Sequence, residues 1–166
     1  MARTNHNNDN IERSKDRIKS TGEVFTPVEL VDEILDKLPP ELFTDPTKTF
    51  IDPAAGNGNF VVRVILRKLA YNSTVYDAVR TTYAVELMQD NVDLMHERIH
   101  ELCMKFDDDI SSPEQSEKYY GELIRYNYRC ADSLKFDYDS WQPFGDVPAE
   151  DVTEDVTEED DNLLVW

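Results

Sequence analysis

The sequence predicts an α/β protein built on a parallel sheet, and three observations predict it. Helix and strand patterns alternate (helix, strand, helix, strand, helix, strand) between Val28 and Asp132, the order that packs crossover helices on parallel strands. The first strand runs into a turn holding Gly56 and Gly58 and then into a helix. An acidic residue, Glu86, ends the second strand. Hydrophobic residues make up 40% of the 166 and aromatics 10%, enough for one core of ordinary domain size.

Residues 1–20 carry no apolar periodicity. They mix Arg3, Arg13, Lys15, Arg17 and Lys19 with Asp9, Glu12 and Asp16, which reads as a flexible, slightly basic arm. A domain is expected over 21–141. Thr26-Pro27-Val28-Glu29 reads as a helix start, with Thr26 as N-cap, Pro27 at the first helical position and Glu29 reaching back in a capping box. Val28, Val31, Ile34 or Leu35, and Leu38 follow at helical spacing, and Pro39-Pro40 stops the helix. Thr49 to Asp52 reads as a short buried strand and Pro53 to Gly58 as a tight turn. A helix from Asn59 or Phe60 to Leu69 follows in spite of its β-branched residues, which lower helix propensity.

After the break at Asn72-Ser73 come a short helix over Val75 to Arg80 and a strand over Thr82 to Glu86. The helix Gln89 to Met104 has Val92, Met95, Ile99, Leu102 and Cys103 on one face. An acidic loop over 106–113, a helix over Glu114 to Arg125 and a strand over Tyr128 to Asp132 complete the pattern. Residues 142–166 read as an acidic tail: 146–161 hold nine Asp and Glu with no Lys or Arg, a composition that stays solvated. Leu163-Leu164-Val165 reads as a terminal strand.

The formal net charge of -18 and isoelectric point near 4.4 bear on partners. A protein that grips DNA unaided is usually basic, because neutralised phosphates supply most of the affinity. DNA is therefore expected only indirectly, or through a partner chain that supplies basic surface. Two cysteines and three histidines show no metal-ligand spacing, so no metal is expected. No signal-like segment and no run near the ~18 apolar residues of a membrane span occurs. A cytoplasmic protein that does not enter the membrane is the expectation.

The chemistry is concentrated in Asp52-Pro53-Ala54-Ala55-Gly56-Asn57-Gly58-Asn59-Phe60. Glycines there let backbone approach a ligand, the helix start offers free N–H groups, and Asp52 can accept from an ammonium group. Open α/β sheets bind ligands at this end of their strands. Val61 stands where the dinucleotide fingerprint needs its third glycine, and no Gly-Lys-Ser/Thr follows, so neither a nicotinamide or flavin site nor a P-loop is expected. Glu86 follows Asp52 by 34 residues, further than the ~20 of a short unit; the extra helix over 75–80 accounts for this. A strand-end acid there accepts from ribose hydroxyls. Asp132 suits either an adenine amine or a plain turn.

Thr21-Gly22-Glu23-Val24-Phe25-Thr26-Pro27, then Asp52 to Phe60, then Ala84-Val85-Glu86-Leu87, then Cys130-Ala131-Asp132-Ser133-Leu134 resemble successive motifs of the N6-adenine DNA methyltransferases of restriction-modification systems. The likeness covers roughly Thr21 to Phe136. It implies a Rossmann-like class I methyltransferase core, incomplete at its C-terminal side, that binds S-adenosyl-L-methionine. Phe25, Thr26 and Pro27 would pack on the cofactor's methionine part. Asp52, Pro53, Ala54, Gly56, Gly58 and Phe60 would form the cofactor loop. Glu86 with Leu87 would hold the ribose, and Asp132 with Ser133 the adenine.

The family's catalytic signature, Asn/Asp-Pro-Pro followed by an aromatic that stacks on the flipped base, is not found; the one Pro-Pro, Pro39-Pro40, lacks both flanking groups. The resemblance thus implies methyl transfer to adenine in DNA with the help of a partner chain, a catalytic or target-recognition subunit, or a homo-oligomer joined at an exposed sheet edge. The alternative is a catalytically inert methyltransferase-like binding protein that sequesters cofactor or interferes with a restriction-modification system. A small-molecule methyltransferase fits the Gly22 to Pro27 stretch poorly.

Overall fold

The computed structural model describes residues 24–145. The arm over 1–20, the Thr21-Gly22-Glu23 start of the first motif, most of the acidic tail and the terminal Leu163-Leu164-Val165 lie outside the described residues. In chain order the elements are α1 (Val28–Leu35), α2 (Glu41–Thr44), β1 (Phe50–Asp52), α3 (Asn59–Ala70), α4 (Val75–Arg80), β2 (Thr82–Glu86), α5 (Gln89–Phe106), α6 (Pro113–Asn127) and β3 (Tyr128–Cys130). The three strands form a parallel sheet in the order β1-β2-β3. Asp52 pairs with Ala84, and Glu86 with Cys130. The α/β class and the parallel pairing match the expectation. No helix among the described residues is long and apolar enough to cross a membrane.

Burial decides where propensity is weak. Helix α3 carries four valine and isoleucine residues that disfavour helix, yet Val61, Val62, Val64 and Ile65 are all buried. Fully burying such side chains contributes roughly 1.5–3 kcal/mol each, well above the few tenths that propensity costs. Val61 and Ile65 join Val79 of α4, Met95 and Ile99 of α5, and Leu123 and Ile124 of α6 in one core against Ala84 and Tyr128. Ala84 and Tyr128 are paired neighbours, so these helices share one face of the sheet.

Strand alternation turns Tyr83 and Ile51 to the other face. There Tyr83 meets Trp141 edge-on at 5.0 Å, and Trp141 meets Phe136 at 4.8 Å. Ile51 remains 52% exposed. The expected buried first strand is therefore half-open: β1 pairs with β2 alone, and nothing among the described residues covers its outer side at Ile51.

Capping differs from expectation at one end and matches chemistry at two others. Thr26 is not the cap of α1. Pro27 holds that position and has no side-chain acceptor to cap with; the Thr26 carbonyl, which an N-cap gives to the first helical turn, instead accepts from Asn59 Nδ2 at 2.8 Å. Helix α1 stops at Leu35, before the prolines, and α2, which the pattern did not predict, follows Pro40. Thr74 caps α4 by accepting from the Asp77 N–H at 3.0 Å, and Ser112 caps α6 by accepting from Gln115 at 3.3 Å, with Pro113 at the first position.

Two polar fixtures set the strands. Lys68 of α3 is 0% exposed. Its ammonium donates to the Lys48 carbonyl and Thr81 Oγ1 and lies 5.4 Å over the Phe50 ring, which ties the starts of β1 and β2 to α3. Asn127 Nδ2 donates to the carbonyls of Val79, Arg80 and Thr82, closing the end of α4 against the start of β3. On the outside, Arg63 forks onto Asp32 at 2.7 and 2.6 Å and Arg67 reaches Asp36 at 2.6 Å, which clamps α1 to α3.

Candidate functional site

A cleft of about 600 Å³ opens at the carboxyl ends of β1 and β2. Its walls come from three stretches far apart in sequence: Val24 to Thr26, Asp52 to Phe60, and Glu86 to Met88. The size falls within the range of small-molecule and cofactor sites. Parallel strands bring Asp52 and Glu86 to the same edge, and the loop between β1 and α3 folds over it. Ala55 N–H donates to the Val85 carbonyl at 3.2 Å and Gly58 N–H to the Ala55 carbonyl at 2.9 Å.

Glu86 is the hub. One carboxylate oxygen accepts from Gly56 N–H at 2.8 Å; the other accepts from Met88 N–H at 2.9 Å and Asn91 Nδ2 at 3.2 Å. A carboxylate offers about four lone-pair sites, so the oxygen facing Gly56 keeps capacity for one more donor. Asp52 accepts from Ala54 N–H at 3.1 Å. Burial, opposed in part by that Ala54 bond and reinforced by the nearby Glu86 charge, pushes the Asp52 carboxyl above its usual range. Neither acid has a Lys or Arg within ion-pair distance among the described residues. Two carboxylates without a cationic partner among these residues thus share an otherwise largely apolar cleft, which suits a ligand that brings hydroxyl or ammonium donors together with apolar surface.

Of the residues singled out in the sequence, Phe25, Thr26, Asp52, Ala54, Gly56, Phe60, Glu86 and Leu87 line this cleft. Pro27, Pro53, Gly58, Asp132 and Ser133 do not. Gly58 has a packing reason instead. It caps α3 at φ +83°, and a Cβ there would sit 2.6 Å from Met95 Cγ. Gly56, at φ +54°, makes room for the Phe25 ring, whose Cδ1 a Cβ would meet at 2.9 Å. Asp132 sits in its own turn, accepting from Leu134 N–H at 3.1 Å and pairing with Lys135 at 3.1 Å, partners that hold its carboxyl below the usual range.

The sequence reading passed over three residues that build the loop. Arg98 of α5, 5% exposed, donates from Nη1 to the Asn57 carbonyl at 2.7 Å and to Asn59 Oδ1 at 2.8 Å. Asn57 and Asn59 are themselves buried. One signal was available: Asn91, Met95, Arg98 and Leu102 share the buried face of α5 at helical spacing, and an arginine on an apolar stripe needs buried acceptors. No protein-family model, curated protein or solved structure matches this chain. No group of His, Cys, Asp and Glu suited to a metal occurs among the described residues.

Proposed function

We propose that this chain is the S-adenosyl-L-methionine-binding portion of an N6-adenine DNA methyltransferase with a Rossmann-like class I core, acting with a partner chain. The observation that carries this is the meeting of Phe25-Thr26 with Asp52, Gly56 and Glu86 around one cleft, since these stretches are the ones that carry the family likeness. The donor set fits the cofactor. Its sulfonium and ammonium are cations for an anionic cleft, and its ribose hydroxyls are donors for the remaining capacity of Glu86. When bound, the cofactor supplies an electrophilic methyl group. The chain's own residues bind and orient: Asp52 faces the ammonium, Glu86 the ribose, and Phe25 closes the methionine side.

The Asn/Asp-Pro-Pro-aromatic stretch is not among these 166 residues. In this reading, binding of the target base belongs to the partner chain. The net charge of -18 favours, as second reading, an inert methyltransferase-like protein that sequesters cofactor or interferes with a restriction-modification system.

Calorimetric titration with S-adenosylmethionine tests the proposal. Saturable binding is expected, weakened at least ~10-fold in Asp52→Asn, which keeps the shape and removes a charge-assisted bond worth about 1.5–3 kcal/mol. Absence of binding by the folded wild type refutes it. Adding a purified methyltransferase subunit that bears the missing stretch separates the two readings: adenine methylation dependent on both chains supports the first, and suppression of that subunit's own activity the second.

A further inference from the structure

The buried Arg98 does not itself line the cleft, but it bonds two residues that do. Its guanidinium holds the glycine loop at the Asn57 carbonyl at 2.7 Å and the start of α3 at Asn59 Oδ1 at 2.8 Å. The Asn59 amide is bidirectional. Its oxygen accepts from Arg98 while its nitrogen donates to the Thr26 carbonyl at 2.8 Å. The Arg98 bond therefore fixes which way the amide faces, because rotating it would turn the NH₂ towards the guanidinium and the oxygen towards a carbonyl. Thr26 in turn follows Phe25, whose ring packs on Gly56. One cation from α5 thus orders the loop directly and the Phe25-Thr26 wall through a single side chain.

We infer that Arg98 is the positioning residue of the cleft, fixing the Gly56–Gly58 loop directly and the Phe25–Thr26 wall through Asn59. Three features support this. An arginine at a site this buried is costly to desolvate unless its donors are matched, and the acceptors named here are one loop carbonyl and the first side chain of α3. Asn59 is the first residue of α3, so its orientation also sets where the helix begins. The wall residues precede α1, which starts only after Pro27 and has no side-chain cap. The consequence for cofactor affinity rests on the function proposed above; the mechanical coupling does not.

Two substitutions separate the links. Asn59→Asp keeps an oxygen for Arg98 and places an acid at a helix start, where it is favoured, but it puts carboxylate oxygen against the Thr26 carbonyl. Arg98→Met removes both upper links with an apolar side chain of similar reach. Backbone order parameters of the free protein are the primary readout. In Asn59→Asp, those of residues 24–26 should fall from the rigid range near 0.85 to below about 0.6 while Gly56 and Gly58 keep the wild-type values. In Arg98→Met both stretches should fall. General loosening would not produce that hierarchy.

Unchanged order parameters at 24–26 in Asn59→Asp, or equal loosening of loop and wall there, overturn the inference even if Arg98→Met does not fold. Affinity for S-adenosylmethionine should fall in both variants. A wild type that does not bind the cofactor refutes the proposed function, while the order parameters still decide the positioning role.

Discussion

Replacing Gly58 by alanine tests whether this glycine serves packing. The added Cβ would lie 2.6 Å from Met95 Cγ, 3.0 Å from Sδ and 3.2 Å from Cβ, at φ +83°. Left-handed backbone costs an alanine roughly 1–2 kcal/mol. Met95 is fully buried in the core beneath the sheet, so its side chain has no solvent to move into, and overpacking adds roughly 1–3 kcal/mol. Gly58→Ala should therefore destabilise the fold by about 2–5 kcal/mol. Met95→Ala alone should cost about 2–5 kcal/mol through the cavity it leaves. In the double variant the Cγ and Sδ clashes vanish and the backbone term remains, so the alanine should cost only about 1–2 kcal/mol there. Urea unfolding followed by circular dichroism gives all three values, and the double-mutant cycle should show coupling of about 1–3 kcal/mol, the overpacking cost. A cost that is the same in both backgrounds refutes the packing reason and leaves the left-handed backbone as the sole reason for this glycine.

Cofactor affinity should weaken as pH falls through the range where Asp52 takes up its proton, a range raised by burial and by the Glu86 charge, since the protonated acid cannot face a cation; calorimetry at successively lower pH should show that loss flattened in Asp52→Asn. Lys68 is pushed down from its usual 10.5 to about 8 by burial. The unfolded chain then binds the extra proton between those values, so stability should rise as pH climbs from about 8 towards 10.5, by at most about 3 kcal/mol. Urea midpoints against pH should show that rise reduced in Lys68→Met, and an identical slope would rule out Lys68 as its source. Thr26→Ala should change stability by less than about 0.5 kcal/mol, because Thr26 caps nothing with its side chain, whereas Ser112→Ala should cost about 1 kcal/mol as a true cap; equal costs on thermal or urea unfolding would contradict the capping difference.

Much of the scaffold was legible from local pattern. The bounds of α4 and β2 are the expected ones, because a Thr-x-x-Asp start and a β-branched run between turns are local signals. The apolar face of α5 was also readable, since a period of 3.6 needs no knowledge of what covers it. Helix α2, with four residues, is too short to show any period. Thr26 was misread as a cap because its sequence context is right for one and the competing acceptor role of its carbonyl depends on Asn59, 33 residues away.

By itself, the sequence determined the alternation of helix and strand, the glycine turn, and the two acids that end β1 and β2, all properties that residues within a few positions of each other encode. Only the tertiary structure decided that Phe25, Gly56 and Glu86 share one cleft, that Gly58 faces Met95, that Asp132 stays in its own turn, and that β1 is an open edge. Each of these depends on which side chain fills a given volume or meets a given donor, and contacts between residues tens of positions apart leave no spacing to read.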